Sequence, residues 1–337
     1  MHVLKLVYLL LISCFIAANA SSKYSVLPDD EKSCLLTSWD ALREYSQVTE
    51  LKKDTRTHWV LSLDGDGLDG ILNLQALVSL ESLTKKSVID LFDGIVATSF
   101  SGIIACLLTL PDPDNPSRPK YSAQAASNII TDGIDEMFKP NYFSFGGLFG
   151  GYYRTGPFKN LLNNIFGENN YKNRLLPTAL VTHDLNTRKA RAFATTDAHD
   201  FYTKDLVMAA TAFPKCYEPQ KVMPIGSKDS YLLADGCTAM NNPTVVGVAL
   251  LQKHYGIGFE DMRVLSLGRT RGEAEVAPAL LSGGNLSWMK EIVNLHINGQ
   301  SNAAENAAKS FLGENYYRFD IYLGPSFFFH RCCIKSG

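Results

Sequence analysis

Basic charge is not in excess in this chain: 32 lysines and arginines stand against 34 aspartates and glutamates, for a net charge of −2. A field of that size holds neither nucleic acid nor an anionic membrane by electrostatics alone, so no nucleic-acid partner is expected. The seven cysteines form no C-x-x-C pair and no cluster with the seven histidines. No metal site and no cofactor follow from them. No internal repeat is visible, and no linker separates two halves, which leaves one large domain in 337 residues. Disorder is excluded by a composition that is 46% hydrophobic and 20% charged.

Long apolar runs are also missing, with one exception at the start. "MHVLKLVYLLLISCFIAANASS" has Lys5, then an apolar run from Leu6 to Ala18 that is short for a membrane span, then an A-x-A site. It reads as a secretory signal over residues 1–20, hence a secreted or exported protein. Leu11-Ile12-Ser13-Cys14 also fits a lipobox with Cys14 lipidated, and an uncleaved anchor is the third option. Export permits disulfides. The spacing fixes none; Cys34 with Cys332 or Cys333 is one option, and Cys106 reads as plain core.

What is present is a rhythm of strand, turn and helix. Residues 21–57 are polar and weakly patterned, with room for one helix from about Ser33. From there the pattern predicts strands at His58–Leu63, Ile95–Thr98, Tyr231–Ala234 and Arg263–Leu267, and a β pair at Thr178–Thr182 and Ala190–Thr195. Helices are predicted after "DGDGLDG", at Phe100–Leu110, in "SAQAASNIITDGIDEMF" and "GPFKNLLNNIFG", and at Lys204–Thr211 and Thr244–Tyr255. Alternation of this kind implies an α/β domain with a largely parallel sheet.

One junction points to chemistry. In Ala97-Thr98-Ser99-Phe100-Ser101 a buried strand turns sharply into an apolar helix. Such a hinge needs small residues two positions either side of the turn, here Ala97 and Ser101 with Gly102 behind them. Ser99 then sits at a helix N-terminus, where the dipole favours negative charge. A serine opening a helix is also an ordinary N-cap.

Three further motifs accompany it: "LSLDGDGLDG" upstream, "LLADGCTAMNNPT" and "VLSLGRTR" downstream. In this order, with "YYRTGPFKNLLNNIFG" and "MAATAFPKCYEP" between them, the chain resembles the patatin-like phospholipases over about residues 58–323. The resemblance implies a three-layer α/β/α sandwich with a mostly parallel central sheet. It also implies a lipid acyl hydrolase of phospholipase A or lysophospholipase type, acting on phospholipid or another acyl lipid at a peripheral membrane surface. It carries over a catalytic pair, Ser99 and Asp235, without a histidine, and an oxyanion loop at Gly65, Asp66 and Gly67. The loop departs from the family's D-G-G-G-x-R-G: Asp66 replaces a glycine and Asp69 the arginine. Two carboxylates beside a developing oxyanion oppose it. A pseudoenzyme that binds lipid or a protein partner is therefore the alternative.

Three smaller readings remain. A histidine base would fall to His254 or His296, and a calcium loop in "DGDGLD" lacks a ligand at Leu68 and a glycine at Asp69. The segment Tyr142–Tyr153 is either an aromatic flap that meets lipid or a loop tucked into the core. In the tail, 324–337, Phe327–Phe329 either touch membrane or pack, and Asn285-Leu286-Ser287 is a glycosylation acceptor in a eukaryote.

Overall fold

The computed structural model describes residues 57–65, 67–145, 149–271, 283 and 285–322. The signal, the helix near Ser33, Cys14, Cys34, Asp66 and the tail with Cys332 and Cys333 lie outside the described residues.

The apolar run "HWVLSL" forms β1 (His58–Leu63), which pairs in parallel with β2 (Gly94–Thr98) on one side and β7 (Met262–Arg271) on the other. β2 pairs in parallel with β3 (Thr178–Asp184), and β7 with β8 (Tyr316–Tyr322). Beyond β3 the direction reverses: β4 (Lys189–Ala194) and β6 (Tyr231–Asp235) run antiparallel to it, and β5 (Gln220–Val222) antiparallel to β6. The order is β5-β6-β3-β2-β1-β7-β8. The central strands are the near-continuous apolar runs that burial on both faces demands.

Alternate strand residues feed two separate cores. Leu61, Leu63, Ile95, Ala97 and Leu180 face one side, with α1 (Gly70–Thr84), α3 (Ser101–Leu108), α4 (Ala123–Met137), α5 (Thr155–Phe166) and α6 (Thr203–Ala210) packed against them. Val60, Val96, Ala179, Val181 and Val264 face the other, under α7 (Thr244–Tyr255) and α8 (Asn285–Leu312). This is the expected three-layer sandwich with a mostly parallel sheet. Each fully buried aliphatic side chain contributes roughly 1.5–3 kcal/mol relative to exposure. α3 is buried on all sides, which is why its sequence is apolar throughout. A four-residue helix, α2 (Val88–Leu91), leads into β2 and carries a capping box between Ser87 and Asp90. No helix among the described residues is long and apolar enough to cross a membrane.

The aromatic segment divides. Tyr153 bridges back to Pro140 and packs edge-on against Phe138, as a core residue would. Tyr142, Phe143, Phe145 and Phe149 are 72–90% exposed, so the tucked-in reading does not hold for them.

Candidate active site

β2 delivers the chain to Ser99 in the left-handed region, at φ 58°, a conformation that costs a non-glycine residue of order 1–3 kcal/mol. Phe100 is already helical, and Gly102 N–H donates to the Ser99 carbonyl at 2.8 Å, closing the first turn into α3. The small neighbours have separate tasks. Ala97 is fully buried in the sheet. A Cβ on Gly102 would lie 3.2 Å from Leu180, tighter than ordinary contact. Ser101 is more than a spacer: its Oγ donates to the Asp64 carbonyl at 2.7 Å and so ties the elbow helix to the glycine loop.

β3 explains how Asp235 meets Ser99 across the chain. Val181 pairs with Thr98 at the end of β2, and the next residue, Thr182, pairs with Asp235 at the end of β6. The two strands thus meet end to end along β3, and the residue after Thr98 lands beside Asp235. Ser99 Oγ donates to Asp235 Oδ2 at 2.6 Å. Cys237 N–H donates to the other oxygen, Oδ1, at 2.8 Å. Asp235 is wholly buried and Ser99 only 8% exposed. Burial pushes the Asp235 carboxyl up to about 6, against the opposing pull of the Cys237 and Ser99 hydrogen bonds. A carboxylate shifted in this direction is a better proton acceptor at neutral pH than an ordinary one.

Among the described residues no histidine takes part in this contact. His183 Nδ1 and His296 Nε2 both meet Thr238, at its Oγ1 and its carbonyl, 2.9 and 3.2 Å away. His254 is exposed in the last turn of α7, its ring edge-on to Tyr255.

The glycine loop lies against the serine. A Cβ on Gly65 would fall 2.7 Å from Asn241 Oδ1 and 3.1 Å from Ser99 Cβ, so only glycine fits. Its expected role changes here. Gly65 N–H donates to the Asn241 carbonyl at 3.0 Å, so it is occupied and does not serve as an oxyanion donor; Gly65 provides clearance instead. Gly67 has φ 54° and opens a short 3₁₀ turn over Gly67–Asp69. Among the described residues the N–H groups of Gly67 and Phe100 donate to no other residue. Asp66 and the Asp69 side chain lie outside the described residues. Asp64, first in the loop, has both oxygens bound by Arg318, at 2.8 and 2.7 Å, so a cation in a calcium-loop arrangement would find this carboxylate taken.

Three residues here escape a reading of the sequence: Arg318, Asn241 and Phe100. Arg318, on β8, also reaches Ser266 and Asp320 and is 5% exposed. The room for its guanidinium comes from Gly268, at a register shift between β7 and β8; a Cβ there would overlap both Arg318 and Asp320. The one sequence signal was a charged pair, Arg318 and Asp320, inside an otherwise apolar and aromatic strand, "YYRFDIY".

The protein is thus an α/β sandwich whose strand-to-helix elbow carries a serine hydrogen-bonded directly to a buried aspartate. The profile of the patatin-like phospholipases matches residues 61–247, more than half of the chain, and the chain belongs to that family. It is similar to "Probable inactive patatin-like protein 9" of Arabidopsis thaliana, 26% identical over 73% of this chain and 69% of that one. It is similar also to "Patatin-like protein 1" of Arabidopsis thaliana, 25% identical over 68% and 64%, and to "Patatin-2-Kuras 3" of Solanum tuberosum, 26% over 76% and 70%. The chain thus spans about two thirds of the length of these relatives. Among solved structures, VipD from Legionella pneumophila aligns over 79% of this chain and 61% of its own, at 12% identity and a TM-score of 0.35.

Proposed function

We propose that this protein is a lipid acyl hydrolase of the phospholipase A or lysophospholipase type, acting through an acyl-enzyme on Ser99 with Asp235 as its base. The observation that carries the reading is the 2.6 Å contact between a serine in strained backbone and a carboxylate that has no cation beside it among the described residues. Asp235 takes the hydroxyl proton as Ser99 Oγ attacks the ester carbonyl, and the carbonyl oxygen becomes an oxyanion. Collapse expels the alcohol, which leaves with the proton from Asp235. Water then attacks the acyl-enzyme, giving its proton to Asp235, and the fatty acid departs as Ser99 recovers its hydrogen. Among the described residues the Phe100 N–H, next to the nucleophile, and the Gly67 N–H are left to receive the oxyanion.

The exposed aromatics from Tyr142 to Phe149 support approach to a lipid surface, since aromatic rings suit the boundary between water and acyl chains. A signal over residues 1–20 would export the enzyme to such a surface outside the cell.

A catalytically impaired protein is the second reading, favoured by Asp66 and Asp69 at positions where the family pattern has glycine and arginine. One experiment separates the two. A fluorophosphonate probe is applied to the wild type and to Ser99→Ala, and products from phospholipid and lysophospholipid are separated by thin-layer chromatography. Labelling lost in Ser99→Ala, with release of fatty acid by the wild type, is expected. Labelling without release favours the impaired protein, and Asp69→Arg then raises the rate if the loop carboxylate is the cause. Absence of labelling in the wild type rejects Ser99 as a nucleophile.

A further inference from the structure

One side chain reaches two backbone positions in the segment after Asp235. Gln300, half-buried on α8, donates from Nε2 to the Cys237 carbonyl at 2.7 Å and accepts the Asn241 N–H on Oε1 at 3.3 Å. These two backbone positions lead to the two halves of the site. Cys237 is the residue whose N–H binds Asp235. Asn241 is the residue whose carbonyl receives the Gly65 N–H, and Gly65 packs against Ser99. The next residue on α8, Ser301, accepts from Asn241 Nδ2 at 3.2 Å. Asn241 Oδ1 is buried with no partner among the described residues, and it abuts Gly65 in the place a Cβ would need.

We propose that Gln300 is a positioning residue of the site, its amide holding the base-bearing segment and the anchor of the glycine loop in register. The proposal rests on the reading of Ser99 and Asp235 as the working pair. An amide suits the task because it donates and accepts at once. Fixing the Cys237 carbonyl restrains the peptide that aims the Cys237 N–H at Asp235. Fixing the Asn241 N–H restrains the carbonyl that takes the Gly65 N–H, and with it the glycine that packs against Ser99. Oriented donors of this sort count most in the transition state, where charge develops.

Gln300 is not the only support of this segment. The same segment is closed by Ala239 and Met240 N–H groups on the Gly236 carbonyl, and Thr98 Oγ1 donates to the Met240 carbonyl. α8 packs through Ala308 and Leu312, two turns and more further on.

The test is Gln300→Met, which keeps length and loses both hydrogen bonds, beside Asn302→Ala as a control at an exposed neighbour on the same helix. Three quantities are read: the rate of fluorophosphonate labelling at Ser99, kcat and KM on a soluble short-chain p-nitrophenyl ester, and the titration of the Asp235 carboxyl by ¹³C NMR. Gln300→Met lowers labelling and kcat about tenfold to a hundredfold, the scale of a small misplacement of reacting groups, with KM unchanged. The Asp235 titration moves to higher pH, because the Cys237 N–H bond that holds it down is loosened. The other titratable groups near this carboxyl are the Cys216 and Cys237 thiols, both kept neutral by burial, while His183 and His296 meet Thr238 instead.

Unchanged labelling and titration in a folded Gln300→Met overturn the proposal, as does an equal loss in Asn302→Ala. If Gln300→Met does not fold, Gln300→Glu, which keeps the acceptor toward Asn241 but not the donor toward Cys237, decides by the same labelling rate. If the wild type neither labels nor turns over, the reading of the pair as working chemistry fails, and the Asp235 titration alone still decides the role of Gln300.

Discussion

Asp64 and Asp235 are both wholly buried carboxylates at the ends of strands in the same sheet, on either side of Ser99, yet their surroundings are opposite. Burial raises both. Asp64 is met by a buried guanidinium, which works against the rise; Arg318 is itself held above its usual value by Asp64 and Asp320 in spite of desolvation. Among the described residues Asp235 is met by neutral donors alone, the Cys237 N–H and thiol and the Ser99 hydroxyl. The first carboxylate is committed to an ion pair and fixes the loop. The second keeps an unspent affinity for a proton. The difference between the two carboxylates is thus one of partners rather than depth.

The largest effect should follow from removing that affinity. Asp235→Asn is expected to lower turnover by about 10²–10⁴-fold, the usual worth of a general base, with labelling of Ser99 slowed in parallel. It should also stabilise the protein at neutral pH. A carboxyl raised from 3.8 to about 6 favours the folded state fully below pH 3.8, and that advantage is lost as pH rises through 6. Between those limits the loss is about 3 kcal/mol. Urea denaturation should therefore find wild type and Asp235→Asn close together near pH 4 and the variant more stable near pH 7.5. A variant less stable at both pH values would mean that Asp235 is a structural ion like Asp64. In activity, the wild-type rate should climb with pH through about 6 as Asp235 ionises.

Arg318→Met would make Asp64 resemble Asp235, and here stability carries the effect. Removing one partner of a buried pair costs about 3–5 kcal/mol, because the remaining charge stays buried. Asp64 and Asp320 would then favour protonation, so the deficit in urea denaturation should be smaller at pH 5 than at pH 8. A deficit independent of pH would show that packing, not charge, is what Arg318 supplies.

Much of the fold was legible, and for one reason: the central strands are short apolar runs between turns, as at His58–Leu63 and Gly94–Thr98. α8 was not. Ile292, Val293 and Leu295 are exposed, whereas the buried positions include Ser301 along with Ala308 and Leu312, so its apolar pattern does not mark the buried face. β5 has three residues, too few to show a period. In the site, Ser99 and Asp235 could be named from the order of motifs, since each sits in a local pattern that its chemistry requires. The partners that hold them could not. Arg318 meets Asp64 across 254 residues of chain, and Gln300 meets Cys237 across 63, from elements with no sequence mark of the contact. The role of Gly65 was misread for a related reason: a glycine pattern marks where backbone must come close, without saying which N–H groups the approach leaves free.

Gly65→Ala probes that clearance. The new Cβ meets the Asn241 side chain at 2.7 Å and Ser99 at 3.1 Å, so the loop or the serine must move. Overpacking of this kind costs about 1–3 kcal/mol in stability, read by thermal unfolding, with a drop in Ser99 labelling beyond what the stability loss explains. Unaltered labelling would separate the loop from the serine and weaken the comparison on the Asp64 side.

The smallest effect is also the most direct on the hinge. Ser99 holds φ 58° although serine disfavours it, and glycine has no such penalty. Ser99→Gly therefore removes both the hydroxyl and the strain, whereas Ser99→Ala removes the hydroxyl and keeps the strain. Each abolishes labelling. In thermal unfolding at pH 7.5, Ser99→Gly should exceed Ser99→Ala by about 1 kcal/mol, toward the lower end of what such a backbone conformation costs. The difference isolates the backbone, since both variants leave Asp235 with the same lost partner. If Ser99→Ala proves the more stable of the two, the elbow is not strained. The serine would then be an ordinary helix-opening residue that happens to lie against an acid.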